Sequence, residues 1–137
     1  MVDTKLIETA IAAKENAYVP YSHFRVGAAL LTKTGKIYSG CNIENAAFTP
    51  TNCAERTAFF KAISEGEHEF EAIVVNGDAD DYLFPCGVCR QVMLEFCDPK
   101  EFRVIVAKNT ADYKEFTLAE LIPGAFNAEE LAKGQRF

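Results

Sequence analysis

Three cysteines and one glutamate form two short groups that could hold and use a metal ion. Cys53 and Glu55 stand in the sequence Cys-Ala-Glu, and Cys86 and Cys89 stand in Pro-Cys-Gly-Val-Cys. Residues three apart on a helix share a face, so Cys86 and Cys89 can reach one ion. Thiolate sulfurs are ligands that zinc favours, and a carboxylate beside the metal can take and deliver protons. The two groups therefore predict a zinc site with Glu55 as its proton carrier.

The number of protein ligands separates a structural zinc site from a catalytic one. A structural site is closed by four protein ligands, whereas a catalytic site has three and keeps one position open. Cys97 follows Cys89 by about 12 Å along a continued helix, which is too far for a zinc–sulfur bond. Spacing alone does not exclude three other residues as a fourth ligand, namely His23, Cys41 and His68. The proximity of Glu55 to Cys53 favours the open, hydrolytic site.

The charge of such a site requires compensation. Zinc held by three thiolates keeps a net negative charge, which opposes the loss of a proton from water. Positive charge is available from Arg56, next to Glu55 in the sequence, and from the N-termini of the two helices. We predict that Arg56 compensates the charge of the site instead of serving only as a solvated helix side chain.

The composition of the chain limits the classes of protein to which it can belong. The chain has 137 residues, 49% hydrophobic and 25% charged, so we expect one globular domain over residues 1–137. A net charge of −6 disfavours binding of nucleic acid, which requires clustered positive charge. The sequence shows neither an apolar run of about 18 residues nor a secretory signal. We expect a cytoplasmic protein with reduced cysteines and no membrane or nucleic-acid partner.

Both ligand groups lie at the starts of predicted helices in an alternating α/β pattern. Helical periodicity covers residues 6–17, 52–65 and 85–97. Apolar runs predict strands at residues 24–32, 37–43, 70–75 and 102–106, with a further strand near 113–116. The predicted apolar face of the helix over 85–97 comprises Val88, Val92, Met93 and Phe96. The order of elements indicates an α/β fold with a parallel crossover, in which helix starts and their thiols meet at one sheet edge.

This pattern resembles the cytidine deaminase family in its small-subunit form with three cysteines. The zinc-deaminase signature, H-x-E or C-x-E followed by P-C-x-x-C, reads here as CAE at 53–55 and PCGVC at 85–89. Other similar segments are PYSHF at 20–24, GCNIENA at 40–46, ERTA at 55–58, CRQV at 89–92 and LIPGAF at 121–126. The resemblance therefore covers about residues 5–126, almost the whole chain.

The resemblance implies both a fold and a reaction. The implied fold is a three-layer α/β/α arrangement with a five-stranded mixed sheet, assembled as a homotetramer with one zinc per chain. The implied metal ligands are Cys53, Cys86 and Cys89. The implied reaction is hydrolytic deamination of cytidine and 2′-deoxycytidine to the uridine nucleosides with release of ammonia, a step of pyrimidine salvage. Glu55 would carry protons to the ring nitrogen and to the departing amino group.

The resemblance also implies substrate contacts. Asn42 and Glu44 match the family positions that hydrogen-bond the ribose hydroxyls, and Phe24 matches an aromatic residue packed beside the nucleoside. Ala54 would present a backbone group to the base. Phe126 matches a phenylalanine that a neighbouring subunit stacks on the pyrimidine. On residue type alone, Phe24 is more typical of a core position and Asn42 and Glu44 of a turn, so these roles depend on the resemblance.

Two other functions fit parts of the pattern. A thiol–disulfide oxidoreductase would use the CxxC of Cys86 and Cys89 at a helix start, but it leaves Cys53 and Glu55 unexplained. A deaminase of a related cytosine-bearing small molecule would keep the zinc chemistry and differ in its substrate contacts.

Phe48 departs from the tyrosine of many family members, a change expected near the subunit contact and away from the chemistry.

Overall fold

A five-stranded mixed sheet forms the centre of the computed structural model, which describes residues 4–134. The strands are β1 (Val26–Thr32), β2 (Ile37–Cys41), β3 (Phe70–Gly77), β4 (Arg103–Ala107) and β5 (Tyr113–Thr117). Their order across the sheet is β2-β1-β3-β4-β5. The pair β3–β4 is parallel and the other three pairs are antiparallel. The parallel crossover and the five-stranded mixed sheet are therefore confirmed.

Helices cover both faces of this sheet. They are α1 (Thr4–Ala13), followed by a 3₁₀ turn at Lys14–Asn16, then α2 (Ala54–Ser64), α3 (Gly87–Phe96) and α4 (Leu118–Leu121). A further helix, α5 (Ala128–Gly134), is exposed along its length. Helix α1 packs on one face of the sheet, while α2, α3 and α4 share a second core on the other face. This arrangement is the predicted three-layer α/β/α fold. Within residues 4–134, no helix is long and apolar enough to cross a membrane.

The central strands are apolar on both faces because each face is covered by helices. In β1, Leu30 points to the core beneath α2 and α3, whereas Ala29 points to the core beneath α1. In β3, Ile73 points to the core beneath α2 and α3, and Val74 points to the core beneath α1. A strand that is buried on both faces needs apolar residues at consecutive positions. The continuous apolar runs in the sequence therefore result from the helices that cover both faces of the sheet.

Helix α2 lies directly against β2, and a glycine makes this possible. A Cβ added to Gly40 would lie 2.4 Å from the Ala54 carbonyl oxygen and 2.6 Å from the Ala58 nitrogen. Both distances are far shorter than real contacts, so only glycine fits here. The first turn of α2 is thereby fixed on the sheet by contact between two backbones.

The structure corrects the predicted face of α3. Val88 is 57% exposed, although the helical period placed it with Met93 on the apolar face. The other three predicted residues, Val92, Met93 and Phe96, do pack against the core, together with Cys89 and Leu94. The inward stripe of α3 runs through Cys89 and Met93, four residues apart, and leaves Val88 outside it. The helices are also shorter than predicted, because the residues at 52–53 and 85–86 precede α2 and α3.

Candidate active site

Three thiols converge where α2 and α3 begin. Cys53 is the N-cap residue of α2, Cys86 is the N-cap residue of α3, and Cys89 lies in the first turn of α3. Their sulfur atoms all lie within 4.8 Å of one another, and the Sγ atoms of Cys53 and Cys86 are 3.7 Å apart. Two thiolates bound to one tetrahedral zinc, at about 2.3 Å each, stand about 3.8 Å apart. The donor set therefore fits a zinc ion.

The other candidate ligands lie apart from this cluster. Within residues 4–134, the group of side chains able to share one metal ion consists of the three thiols alone. His23 and His68 are exposed, and Cys41 ends strand β2. Cys97 is the C-cap residue of α3, at the opposite end of the helix from Cys86. The described chain supplies three ligands, which corresponds to the open form of a zinc site.

Arg56 lies against the thiol cluster, as its predicted charge-compensating role requires. Its Nη2 atom donates a hydrogen bond to Cys53 Sγ at 3.3 Å. A hydrogen bond from Cys89 lowers the pKa of the Cys53 thiol to about 5; burial opposes this, and Arg56 and Cys86 reinforce it. The same contact, together with burial, raises the pKa of Cys89. The Arg56 guanidinium therefore stands beside a sulfur of the cluster and favours its thiolate form.

Glu55 lies in the first turn of α2 with its side chain only 4% exposed. Burial raises the pKa of its carboxyl to about 7, and the negative charge of Cys53 acts in the same direction. A carboxyl whose pKa lies near neutrality can both accept and release a proton at neutral pH. The structure thus places a carboxyl that is suited to proton transfer two residues from a thiol of the cluster.

A cavity of about 240 Å³ opens onto this group. Its lining includes two of the thiols and the glutamate, namely Cys53, Glu55 and Cys86. Three of the predicted substrate-contacting residues, Phe24, Asn42 and Ala54, also line it. The lining is completed by Val26, Thr51, Asn52, Leu83 and Phe84. A small molecule in this cavity would meet aromatic and aliphatic side chains as well as the candidate metal ligands.

The two predicted ribose contacts occupy different positions. Asn42 Oδ1 accepts a hydrogen bond from the Val26 nitrogen, and Asn42 Nδ2 donates one to the Phe24 carbonyl, both at 2.9 Å. The second hydrogen on Nδ2 remains available for a ligand. Glu44 lines a neighbouring cavity of about 430 Å³, where its Oε1 accepts hydrogen bonds from two backbone nitrogens of residues 21–22 at 3.1 Å. Thr51 borders both cavities.

Phe126 lies away from the cavity of its own chain. It stands between α4 and α5, is 61% exposed, and its carbonyl accepts a hydrogen bond from Gln91 Nε2 at 2.8 Å. The cavity lining within residues 4–134 leaves Phe126 out. Its predicted stacking on a substrate therefore requires a second copy of the chain, and that role stays a prediction.

Five of the lining residues were not predicted from the sequence, and Leu83 and Phe84 are two of these. They precede Pro85 and Cys86 directly, in a segment to which no element was assigned. Their position next to a metal-ligand group is the signal that could have identified them. The sequence pattern could not show which way their side chains point, because they lie in a loop without a period.

The fold and the site together define a zinc-dependent deaminase of nucleobases, the class in which a Cys₃ or His-Cys₂ zinc works with a glutamate that is not a ligand. Residues 1–107 match the family model of the cytidine and deoxycytidylate deaminase zinc-binding region, and the chain belongs to this family. The cytidine deaminase of Sporosarcina psychrophila is 53% identical over 128 residues, which cover 93% of each chain. That of Halalkalibacterium halodurans is 54% identical over 126 residues, or 92% of this chain and 95% of the relative.

Solved structures of relatives agree with this fold. A cytidine deaminase from Burkholderia pseudomallei superposes with a TM-score of 0.85 at 47% identity, covering 92% of this chain and all of that chain. A cytidine deaminase from Mycobacterium tuberculosis superposes with a TM-score of 0.81 at 36% identity, covering 92% of this chain and 98% of that chain. The predicted family and fold class are therefore confirmed.

Proposed function

We propose that this chain catalyses the hydrolytic deamination of cytidine and 2′-deoxycytidine. One water is consumed, the exocyclic amino group leaves as ammonia, and the products are uridine and 2′-deoxyuridine. The observation that carries the proposal is the buried Glu55 carboxyl in the same cavity as the three-thiol cluster. When bound by Cys53, Cys86 and Cys89, zinc supplies the Lewis acidity that activates water for attack.

Glu55 moves the protons of the reaction. Its carboxylate accepts a proton from the attacking water and delivers it to the ring nitrogen beside the reacting carbon. The carboxylate then takes the second proton of that water from the hydroxyl group now on the reacting carbon and gives it to the amino group. The amino group leaves as ammonia, and the hydroxyl oxygen becomes the carbonyl oxygen of the product. Because Glu55 is buried at the start of α2, the cavity excludes bulk water from the carboxyl during these transfers.

Arg56 offsets the negative charge that three thiolates bring to the site. Its contact with Cys53 Sγ and the N-terminal ends of α2 and α3 together place positive charge around the sulfurs. The lower net negative charge of the site then makes it easier for the attacking water to lose a proton. Arg56 therefore acts on the reaction through Cys53.

Recognition of the nucleoside is divided between one chain and its neighbour. Within the chain, Phe24 and the Ala54 backbone flank the base. Asn42 and Glu44 form hydrogen bonds with the ribose hydroxyls. Phe126 of a second copy completes the cavity in a homotetramer. Exposed aromatic side chains support an assembly, because large apolar surfaces rarely face water in isolated chains; Phe48 and Phe126 are among the most exposed.

We propose a cytoplasmic enzyme of pyrimidine salvage that acts on free nucleosides. A net charge of −6 suits an uncharged nucleoside better than a polynucleotide. The family match and the cytidine deaminases among the relatives support cytidine over other cytosine-bearing small molecules.

Conversion of cytidine by the purified protein tests this function. The loss of cytidine absorbance in the ultraviolet and the release of ammonia are followed with zinc-loaded protein, chelator-treated protein and chelator-treated protein supplied again with zinc. We expect conversion, its loss on chelation and its return with zinc. Cytosine and cytidine 5′-monophosphate serve as comparison substrates. Absence of cytidine conversion at every pH tested would overturn the proposal, and preference for either comparison substrate would reassign the substrate.

A further inference from the structure

The cavity has a wall that is supplied by a loop and not by a helix or strand. Leu83 and Phe84, here called the loop wall, line the cavity beside Cys86. Phe84 lines the cavity and is 39% exposed, so part of this residue meets solvent. Leu83 packs over the last residue of β3, because its Cδ2 lies 2.7 Å from the place that a Cβ on Gly77 would take.

The ring of Phe84 is supported from behind by strand β5. Phe116 lies with its ring centroid 5.3 Å from that of Phe84 at an angle of 54°. Phe116 is itself only partly buried, at a position on β5 opposite Val104 of β4. A contact between two aromatic rings at this distance is favourable and limits the directions in which Phe84 can turn.

Tyr82 attaches the same loop to the β4–β5 hairpin. The Lys108 and Lys114 ammonium groups lie 4.8 Å and 4.5 Å from the centroid of its ring. Its hydroxyl donates a hydrogen bond to Asp112 Oδ1. The turn carrying Asp112 is ordered in its own right, because Asn109 Oδ1 accepts hydrogen bonds from the backbone nitrogens of residues 111 and 112 at 2.8 Å. Three contacts to one hairpin hold the residue next to the loop wall.

We infer that the loop wall sets the size of the base that this cavity accepts, with Phe84 as the specificity-determining residue and Tyr82 as the residue that positions it. The inference rests on the proposed function and adds the feature that selects among cytidine derivatives. Phe84 and the candidate metal ligand Cys86 line one cavity, so a substituent on the pyrimidine ring beside the reacting carbon would meet this wall. A ring held against Phe116 cannot withdraw, and a bulky substituent is excluded.

Substitution of Phe84 tests the wall directly. The kcat/KM values for cytidine and for cytidines that carry methyl, bromine or iodine at ring carbon 5 are measured for the wild type and for Phe84→Ala. We expect the ratio of 5-iodocytidine to cytidine to rise about tenfold or more in the variant, since the shape of an apolar pocket discriminates by about this factor. Tyr113→Ala is the matched control, because Tyr113 is similarly exposed and begins β5 of the same hairpin. This control should leave the ratio unchanged.

Substitution of Tyr82 tests the positioning. Tyr82→Leu removes the ring between the two lysines and the hydroxyl, so the selectivity ratio should rise in the same direction as in Phe84→Ala. Tyr82→Phe keeps the ring and loses only the hydrogen bond to Asp112, so it should retain most of the wild-type selectivity for cytidine over 5-iodocytidine. A role in folding alone would lower activity towards all substrates equally and leave the ratio where it is in the wild type.

The outcomes separate the inference from the proposed function. If the wild type does not convert cytidine, the proposed function fails and the inference fails with it. If the wild type converts cytidine and Phe84→Ala leaves the ratio within twofold, only the inference is wrong. Zinc content and thermal unfolding report whether each variant is folded. If Phe84→Ala does not fold, Phe84→Leu takes its place. A ratio of 5-iodocytidine to cytidine that rises above the wild-type value supports the inference, and an unchanged ratio overturns it.

Discussion

The two sides of the candidate active site are built in different ways. On one side, Glu55 and Cys53 stand at the start of α2, whose backbone rests on the backbone of β2 at Gly40. On the other side, Leu83 and Phe84 stand on a loop, where Leu83 packs over Gly77 of β3 and side-chain contacts join the loop to the β4–β5 hairpin. Glu55 on the helix side is buried, whereas Phe84 on the loop side is partly exposed.

This difference assigns different tasks to the two sides. Proton transfer and metal binding require side chains held within a fraction of an ångström, which a helix packed on a sheet provides. Substrate selection tolerates small movements, and loops on a rigid scaffold commonly provide it. Substitutions on the helix side should therefore change turnover or stability, and those on the loop side should change substrate affinity and selectivity.

The largest expected effect on the helix side belongs to Glu55→Gln. The amide keeps the size of the side chain and cannot carry a proton between water and substrate, so kcat should fall by about 10² to 10⁴. Zinc content, measured by atomic emission, and the thermal midpoint should stay at wild-type values. Glu65→Gln, at the opposite end of α2, is the control and should retain full turnover. Turnover of Glu55→Gln near that of the control would remove Glu55 from the mechanism.

Arg56→Gln should have a smaller effect, directed at the metal. Loss of the guanidinium removes the hydrogen bond to Cys53 Sγ and one positive charge, and partners of metal ligands contribute about 10- to 100-fold to metal affinity or activity. Competition with a chromophoric chelator measures the zinc affinity without any assay of turnover. Arg56→Lys keeps the charge and should recover part of the affinity. Equal zinc affinity in the wild type and in Arg56→Gln would show that Arg56 only fills a helix position.

The sequence predicted the helix side well because local signals and the fold rule agree there. The apolar periods located α2 and α3, and the rule that helix starts meet at one sheet edge brought Cys53 and Cys86 together. The loop side could not be predicted in this way. Contacts such as Phe84 with Phe116 join residues far apart in the sequence and follow no period.

Two other features depended on information that lies outside any local pattern. Val88 is exposed because the buried stripe of α3 runs through Cys89 and Met93, and the helical period alone does not show how the helix is rotated on the sheet. The task of Phe126 depends on the position of a second chain. The family resemblance named Phe126, but the geometry of one chain leaves it outside the cavity.

A pair of glycine substitutions compares the two sides with the same change in side chain. Gly40→Ala should lower the free energy of unfolding by about 1–3 kcal/mol, because the added Cβ meets backbone atoms of α2 that cannot move independently. Urea denaturation followed by circular dichroism measures the loss. Zinc content should fall as well, since any shift of α2 moves Cys53 relative to the other thiols. Unchanged stability would show that α2 adjusts freely on β2 and that the helix side is no more rigid than the loop side.

Gly77→Ala is the counterpart on the loop side and should have the smallest effect on stability. The added Cβ would lie 2.7 Å from Leu83 Cδ2 and 3.2 Å from the Phe24 ring, which are the ends of side chains and can move. The free energy of unfolding should therefore fall by about 1 kcal/mol or less. The moved side chains both line the cavity, so KM for cytidine should rise by about three- to tenfold while kcat changes little. Steady-state kinetics at saturating and limiting cytidine separates the two constants, and a fall in kcat with KM unchanged would contradict the division of tasks between the two sides.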